Sequence, residues 1–261
     1  PGQYECMSSR IIPLFIRNAM PKWFGLLFLL TLLSAAMSTL SSQFHTLGTS
    51  IGRDVFEQIG HTRGKLDTVR VPFIRLTPET APGFDLSAGA WQQAAGLPPL
   101  LLMGHAPLKS QYETTIRILQ DGRHFLIGCS VRKAPATIWA RHPAGTAHDV
   151  FPSGDHIELF FSHPRDGYYQ LAYDANGNRY DGRLTDASWN TPVPWEVKTR
   201  VDDNGWSSIA KIPFAAVNFE KLVSNKLRFL FFLTNLDDQR KAEHSTWGGG
   251  RVHAADSFGE L

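Results

Sequence analysis

The chain has 261 residues, 43% of them hydrophobic and 19% charged, with 22 Gly and 16 Pro, a composition that excludes collagen, coiled coil and wholesale disorder. Lys plus Arg (26) against Asp plus Glu (24) leaves a formal charge of +2, too small for the electrostatic footprint of a nucleic-acid binder. The two cysteines, Cys6 and Cys129, are too far apart for a metal knuckle and too few for a disulfide scaffold, which leaves the redox compartment open. The averages hide a split. Residues 1–70 hold 7 basic and 4 acidic residues, net +3, whereas 71–261 hold 19 and 20, net −1.

From Trp23 to Leu40 the run WFGLLFLLTLLSAAMSTL carries no charge. At about 1.5 Å per residue it spans roughly 27 Å, just short of a hydrocarbon core, and continuation to Gly48 makes a transmembrane helix over about 21–48. A signal peptide is the competing reading, disfavoured by the late start and by the spread of Arg10, Arg17 and Lys22. The start at Pro1 rather than Met reads as a fragment. Ala35, Ala36, Ser38, Thr39, Ser41 and Ser42 cluster in the second half of this helix. Such a cluster serves either close helix packing or ligation of a small hard cation by hydroxyl and backbone oxygens.

Residues 20–54, MPKWFGLLFLLTLLSAAMSTLSSQFHTLGTSIGRD, resemble the sodium/solute symporter family around the helix that completes its sodium site. The resemblance implies a backbone carbonyl from Ala35 and the hydroxyls of Ser38 and Thr39 as ligands for Na+, with the remaining ligands and more than ten spans belonging to a complete transporter. GKLDTVRV (64–71) resembles the approach to that family's next helix, but Pro72-Phe73-Ile74-Arg75 and the polar LTPETAPGFDLSAG follow instead. The expected organisation is therefore a membrane fragment over 1–70, a junction over 71–82 and a soluble domain over 83–261.

Beyond the junction short β-type runs alternate with turns. Thr114–Leu119 and His124–Val131 flank Asp121-Gly122, Tyr168–Asp174 and Asn178–Arg183 flank Asn176-Gly177, and Trp195–Val201 and Trp206–Ile212 flank Asp202-Asp203-Asn204-Gly205. With Asp155–Phe161 and Leu227–Thr234 these make at least eight strands and no long amphipathic helix, the pattern of an all-β antiparallel sandwich. Period-two alternation assigns Ile157, Leu159 and Phe161, together with Leu230 and Phe232, to its core.

No GxSxG, HExxH, GxGxxG or CxxC is present, and GHTRGK (60–65) falls short of a P-loop. The domain is expected to be non-catalytic. Aromatic residues in and near loops, among them Phe151, Tyr168, Tyr169, Trp189 and Trp247, suit the C–H faces of sugar rings, while carboxylates and amides suit ring hydroxyls; the competing reading is that the tryptophans fill the core.

The ordered segments GFDLSAGAWQQA (83–94), GDHIELFF (154–161), YYQLAYDANGNRYD (168–181), GWSSIAKIPF (205–214) and STWGGG with a closing FGEL (245–261) are similar to carbohydrate-binding module family 9-like domains. The resemblance implies a β-sandwich holding saccharide between aromatics, often with structural Ca2+. It places saccharide contacts at Glu158, Gln170, Phe151, Asn235 and Trp247, with structural packing as the favoured alternative for Trp247, and a metal or turn role at Asp155. Gln170 stands where sugar-binding members present a basic residue, and between Trp247 and Phe258 only Val252 and His253 stand where those members present an aromatic platform. For Glu158 the alternatives are pairing with Arg179 or Arg183 and a share in ligating Ca2+.

The positive charges after the apolar span place its C-terminal side in the cytoplasm, the wrong side for environmental polysaccharide; either the charge bias misleads, or spans are lost near 70–76, or the two halves are joined by a deletion or assembly error, the last two being favoured. The sequence thus predicts an integral, single-span membrane protein with a soluble saccharide-binding sandwich. Its expected partners are saccharide, lipid and the rest of a transporter. The alternatives are the accessory domain of a glycoside hydrolase and a structural interaction domain.

Overall fold

The structure, a computed structural model, describes residues 15–16, 18–34, 67–78, 80–146, 150–163, 167–184, 186–221, 226–249 and 251–261. The chain divides into two units, 1–64 and 65–261. In the first, residues 22–34 are helical, with Trp23 and the leucines exposed and Phe24 and Phe28 half-buried. No helix among the described residues is long and apolar enough to cross a membrane. Residues 35–48 of the expected span, with Ala35, Ser38 and Thr39, lie outside the described residues.

The second unit is all-β and antiparallel. Its strands are β1 (Ala95–Gly96), β2 (Leu101–Leu102), β3 (Thr114–Gln120), β4 (His124–Arg132), β5 (His156–His163), β6 (Gly167–Asp174), β7 (Arg179–Arg183), β8 (Glu196–Asp202), β9 (Gly205–Pro213), β10 (Arg228–Leu236), β11 (Ala242–Trp247) and β12 (Gly259–Glu260). One sheet runs β1-β3-β4-β9-β8; the other runs β2-β11-β10-β5-β6-β7, with β12 also pairing β10. The three expected hairpins form, because local chemistry closes each turn. Gly122 takes φ +88, a conformation free of Cβ strain only for glycine, while Asp121 Oδ1 accepts from the backbone N–H groups of Arg123 and His124 at 2.9 and 2.7 Å. Strands β1, β2, β11 and β12 carry no such signal; three have two residues each, and AEHSTW is polar.

Between the sheets lies the main core, with Ile157, Leu159 and Phe161 of β5 facing Ile118, Ile127 and Ala210 of the other sheet. On β10 the core positions are Phe229, Phe231 and Leu233, not Leu230 and Phe232 as the alternation predicted. The register decides this: Phe231 pairs with Leu159, so the odd positions of β10 share the inner face, and Leu230 and Phe232 join Phe160, Tyr168 and Phe258 in a separate outer cluster. RFLFFL is apolar at both parities, so the strand's own pattern cannot select a face.

The sandwich unit also starts earlier than residue 83. Val69 donates to the Glu260 carbonyl at 2.9 Å, Ile74 to the Gln120 carbonyl at 2.8 Å, and Ile74 is buried. Part of the expected junction is therefore structure. A further layer, Leu86, Ala90 and Trp91, seals the outer face of the five-stranded sheet over Leu119, Leu126 and Ile209.

Gly128 of β4 supports that layer, since a Cβ there would stand 2.5 Å from Leu86 Cδ2 and 2.9 Å from Trp91 Cζ2. Gly128→Ala is expected to lower unfolding stability by about 1–3 kcal/mol through overpacking, read as a shift in the urea midpoint at unchanged slope.

Candidate functional site

The outer face of the seven-stranded sheet collects the polar residues. On β5 the even positions point outward, so His156 and Glu158, two residues apart, lie side by side. Glu158 faces Ala172 of β6 and Phe232 of β10 across the ladders, and the small Ala172 leaves space into which Gln170 reaches. Gln170 Nε2 donates to Glu158 Oε2 at 2.5 Å. His156 Nδ1 lies 2.8 Å from the Gly154 carbonyl and Nε2 lies 3.3 Å from Glu158 Oε1. Donation from Nδ1 to that carbonyl fixes the orientation of the ring.

Aromatic groups frame this floor. Phe151, 38% exposed, meets His156 and Tyr180 edge-on, with ring centroids 5.6 and 5.0 Å away. Burial, then Asp181, Asp186 and Glu158, raise the Tyr180 phenol above its ordinary value, so its hydroxyl stays protonated at neutral pH. Across β10, His244 stacks on Phe232 at 5.4 Å and its Nδ1 lies 3.0 Å from Thr234 Oγ1. Burial, and then His156, lower the proton affinity of His244, with Glu158 opposing; the ring is neutral at pH 7. Toward β12, the Tyr168 hydroxyl donates to the Leu184 carbonyl at 2.9 Å and accepts from His253 Nδ1 at 2.6 Å, holding His253 edge-on to Phe160.

Of the residues assigned from sequence, Glu158, Gln170 and Phe151 therefore share one face. Asn235 and Trp247 do not. Asn235 is fully buried on the inner side of β10, and neither side-chain amide atom has a hydrogen-bond partner among the described residues; Trp247 pairs in register with Phe231 and packs on Phe229 in the core. For Asn235 this is a correction of parity, and for Trp247 it is the packing role that competed with a saccharide contact; outward positions on β10 and β11 are even. Among the described residues Glu158 does not pair with Arg179 or Arg183; its hydrogen-bond partners there are Gln170 and His156. His156, Tyr180, Thr234 and His244 went unassigned from sequence. The spacing of His156 from Glu158 was the available signal, since residues i and i+2 of a strand share a face.

Asp155 is fully buried and points elsewhere. Both its oxygens accept from Lys133 Nζ at 2.7 Å, and the backbone N–H groups of Leu236 and Trp139 complete the shell at 2.8 Å each. Lys133 Nζ also donates to the Leu236 carbonyl at 2.6 Å. This donor set does not fit Ca2+, because the ammonium occupies the place a cation would take. Among the described residues no group of three or more His, Cys, Asp or Glu side chains is arranged to hold a metal.

The two sheets, their order and this outer face define an all-β sandwich with the fold of the family 9 carbohydrate-binding modules. A family 9 module from Caldicellulosiruptor kristjanssonii, solved in complex with cellotriose, matches with a TM-score of 0.50 and 15% identity, over 73% of this chain and 91% of that one. A protein from Bacteroides uniformis proposed to bind carbohydrate matches with a TM-score of 0.55 and 18% identity, over 76% and 99%. No sequence-family profile and no curated protein matches the chain.

Asp155→Asn leaves the Lys133 ammonium buried without a counter-charge and is expected to cost about 3–5 kcal/mol in urea unfolding, whereas the double variant Lys133→Met/Asp155→Leu, which removes both charges, is expected to cost less.

Proposed function

We propose that the sandwich is a non-catalytic saccharide-binding domain whose ligand lies on the outer face of the seven-stranded sheet. The observation that carries this reading is the Glu158–Gln170–His156 floor beside the exposed ring of Phe151 and the Tyr180 hydroxyl. A carboxylate and an amide at hydrogen-bond range offer acceptors and donors to adjacent ring hydroxyls, and an aromatic plane offers a surface to C–H groups. The fold likeness to a module solved with cellotriose supports the ligand class. Where sugar-binding members present a cation, Gln170 supplies a neutral donor, so we assign neutral rather than anionic sugars to this face. The Ca2+ implied by the family resemblance would have to use ligands other than Asp155.

Isothermal titration of the full chain against mono- and oligosaccharides, with Ca2+ and with chelator, tests this. Binding is expected for at least one neutral sugar, with Glu158→Ala and Phe151→Ala each raising Kd by about tenfold or more, as loss of a charged hydrogen bond or a ring contact would do. Absence of heat with every sugar, or unchanged Kd in both variants, refutes the reading.

We further propose that the N-terminal segment tethers the domain to lipid. Helix 22–34 exposes Trp23, Leu26, Leu27, Leu29, Leu30, Leu32 and Leu33, with Phe24 and Phe28 half-buried; at about 100° per residue the exposed positions cover all but a sector of roughly 140° that holds the two phenylalanines, a broad apolar surface that suits hydrocarbon. Descent of residues 1–70 from a symporter, with its Na+ ligands at Ala35, Ser38 and Thr39, rests on the sequence resemblance alone. In alkaline carbonate extraction the full chain is expected in the membrane pellet and a Leu26→Lys/Leu29→Lys/Leu33→Lys variant in the supernatant; recovery of the unaltered chain in the supernatant would overturn the tether.

A further inference from the structure

The outer face of the five-stranded sheet is sealed over only part of its area. Beside the layer built on Leu86 and Trp91, a cleft of about 510 Å3 stays open between the sheet and the segment carrying Phe84 and Ser87, a volume within the usual range for small-molecule sites. Its floor is a cross-strand row. Thr115 of β3 pairs with Ser130 of β4, Ser130 with Ser207 of β9, and Ser207 with Arg200 of β8. Adjacent strands lie about 4.8 Å apart, so the backbones of three hydroxyl-bearing residues stand at that spacing and Arg200 ends the line. Ser207 Oγ donates to Ser130 Oγ at 3.2 Å.

The lining carries two cations, Arg117 and Arg200, and two carboxylates, Asp85 and Asp202, so its formal charge is zero and the distinction lies in which groups are paired. Arg200 is committed: it pairs with Asp202 at 3.1 Å and lies over the Phe84 ring at 4.9 Å. Asp85, at the rim, accepts from the backbone N–H and the hydroxyl of Ser87 at 2.9 and 2.6 Å. Arg117, one pair along β3 from Thr115, is different. Its Nε is buried and has no hydrogen-bond partner among the described residues, and no carboxylate there pairs with it. Its register partner is Gly96 of β1, over whose bare backbone the guanidinium lies, 3.1 Å from the point a Cβ would occupy. A planar fork that no carboxylate of the described residues contacts matches a carboxylate, which it can grip through two parallel N–H bonds, better than a dianion. The hydroxyl row beside it matches a polyol.

We propose that this cleft is a second binding site, on the opposite sheet from the neutral-sugar face, and that its ligand class is a sugar acid of the uronate type. Arg117 holds the carboxylate, and Thr115, Ser130 and Ser207 meet the ring hydroxyls. The shared chemistry with simple organic acids is the carboxylate, and the hydroxyl row is what separates the two.

Titration of the full chain with glucuronate, glucose and acetate tests the assignment. Glucuronate is expected to bind, at least about tenfold more tightly than acetate, and to weaken as NaCl is raised from about 50 to 500 mM. Arg117→Met is expected to raise its Kd at least about tenfold and Arg117→Lys to restore only part of the loss, with thermal unfolding reporting that both variants are folded. Glu158→Ala is expected to leave glucuronate binding unchanged, so this site and the neutral-sugar face fail or succeed separately. Equal affinity for acetate, a Kd unchanged by Arg117→Met, or loss on Glu158→Ala would each overturn the proposal.

Discussion

The buried Lys133–Asp155 pair is the constraint on which the candidate ligand face depends. A carboxylate and an ammonium removed from water are tolerated only when each is fully coordinated, and here the coordination comes from four parts of the chain. Lys133 follows β4 in the five-stranded sheet, Asp155 precedes β5 in the other, Trp139 lies in the connection between them, and Leu236 ends β10. The pair thus fastens one sheet to the other at the point where β5 begins. Gly154, at φ +100, bends the chain into that knot with its backbone against Trp139. His156 and Glu158 emerge immediately afterwards, their starting point held by the knot behind them. An acidic residue that could be taken for a metal ligand instead positions the residues beside it.

The same architecture explains why polar chemistry collects on the two outer faces. The inner faces are consumed by one continuous core from Ile116 to Trp247, and each outer face is divided between an apolar layer and a polar remainder. On the seven-stranded sheet the apolar part is Phe160, Tyr168, Leu230, Phe232 and Phe258, and the remainder holds Glu158, Gln170 and His156. On the five-stranded sheet Trp91 and Leu86 cover one part and leave Arg117 and the hydroxyl row in the other. Covering layers that stop short of the sheet edge make clefts, and polar residues left within them have lost part of their water without gaining a full set of protein partners.

Much of the fold was legible locally. Asp-Gly and Asn-Gly turns carry their own hydrogen-bond geometry, so three hairpins could be read without knowing what they pack against. Glu158 and Gln170 were legible as polar residues in strands that otherwise read as buried. Asn235 was assigned to the ligand face, and Trp247 was left between ligand and core, because β10 and β11 do not reveal their parity: FLFFL is apolar throughout, and HSTW mixes both kinds. His156 and Tyr180 looked like scattered residues, since nothing in their neighbourhoods tells that a loop aromatic, Phe151, lies against both.

By itself, then, the amino-acid order determined the division into an apolar opening segment and a β-rich remainder, the hairpins and the antiparallel class, because hydropathy and turn chemistry act over a few residues. Only the tertiary structure decided which face each side chain occupies, that Asp155 is neutralised by Lys133 twenty-two residues away, and that Thr115, Ser130, Ser207 and Arg200 fall in one row. Those outcomes depend on inter-strand register. Shifting a strand by one residue exchanges its two faces, and register is set by the packing of both sheets together rather than by any strand alone.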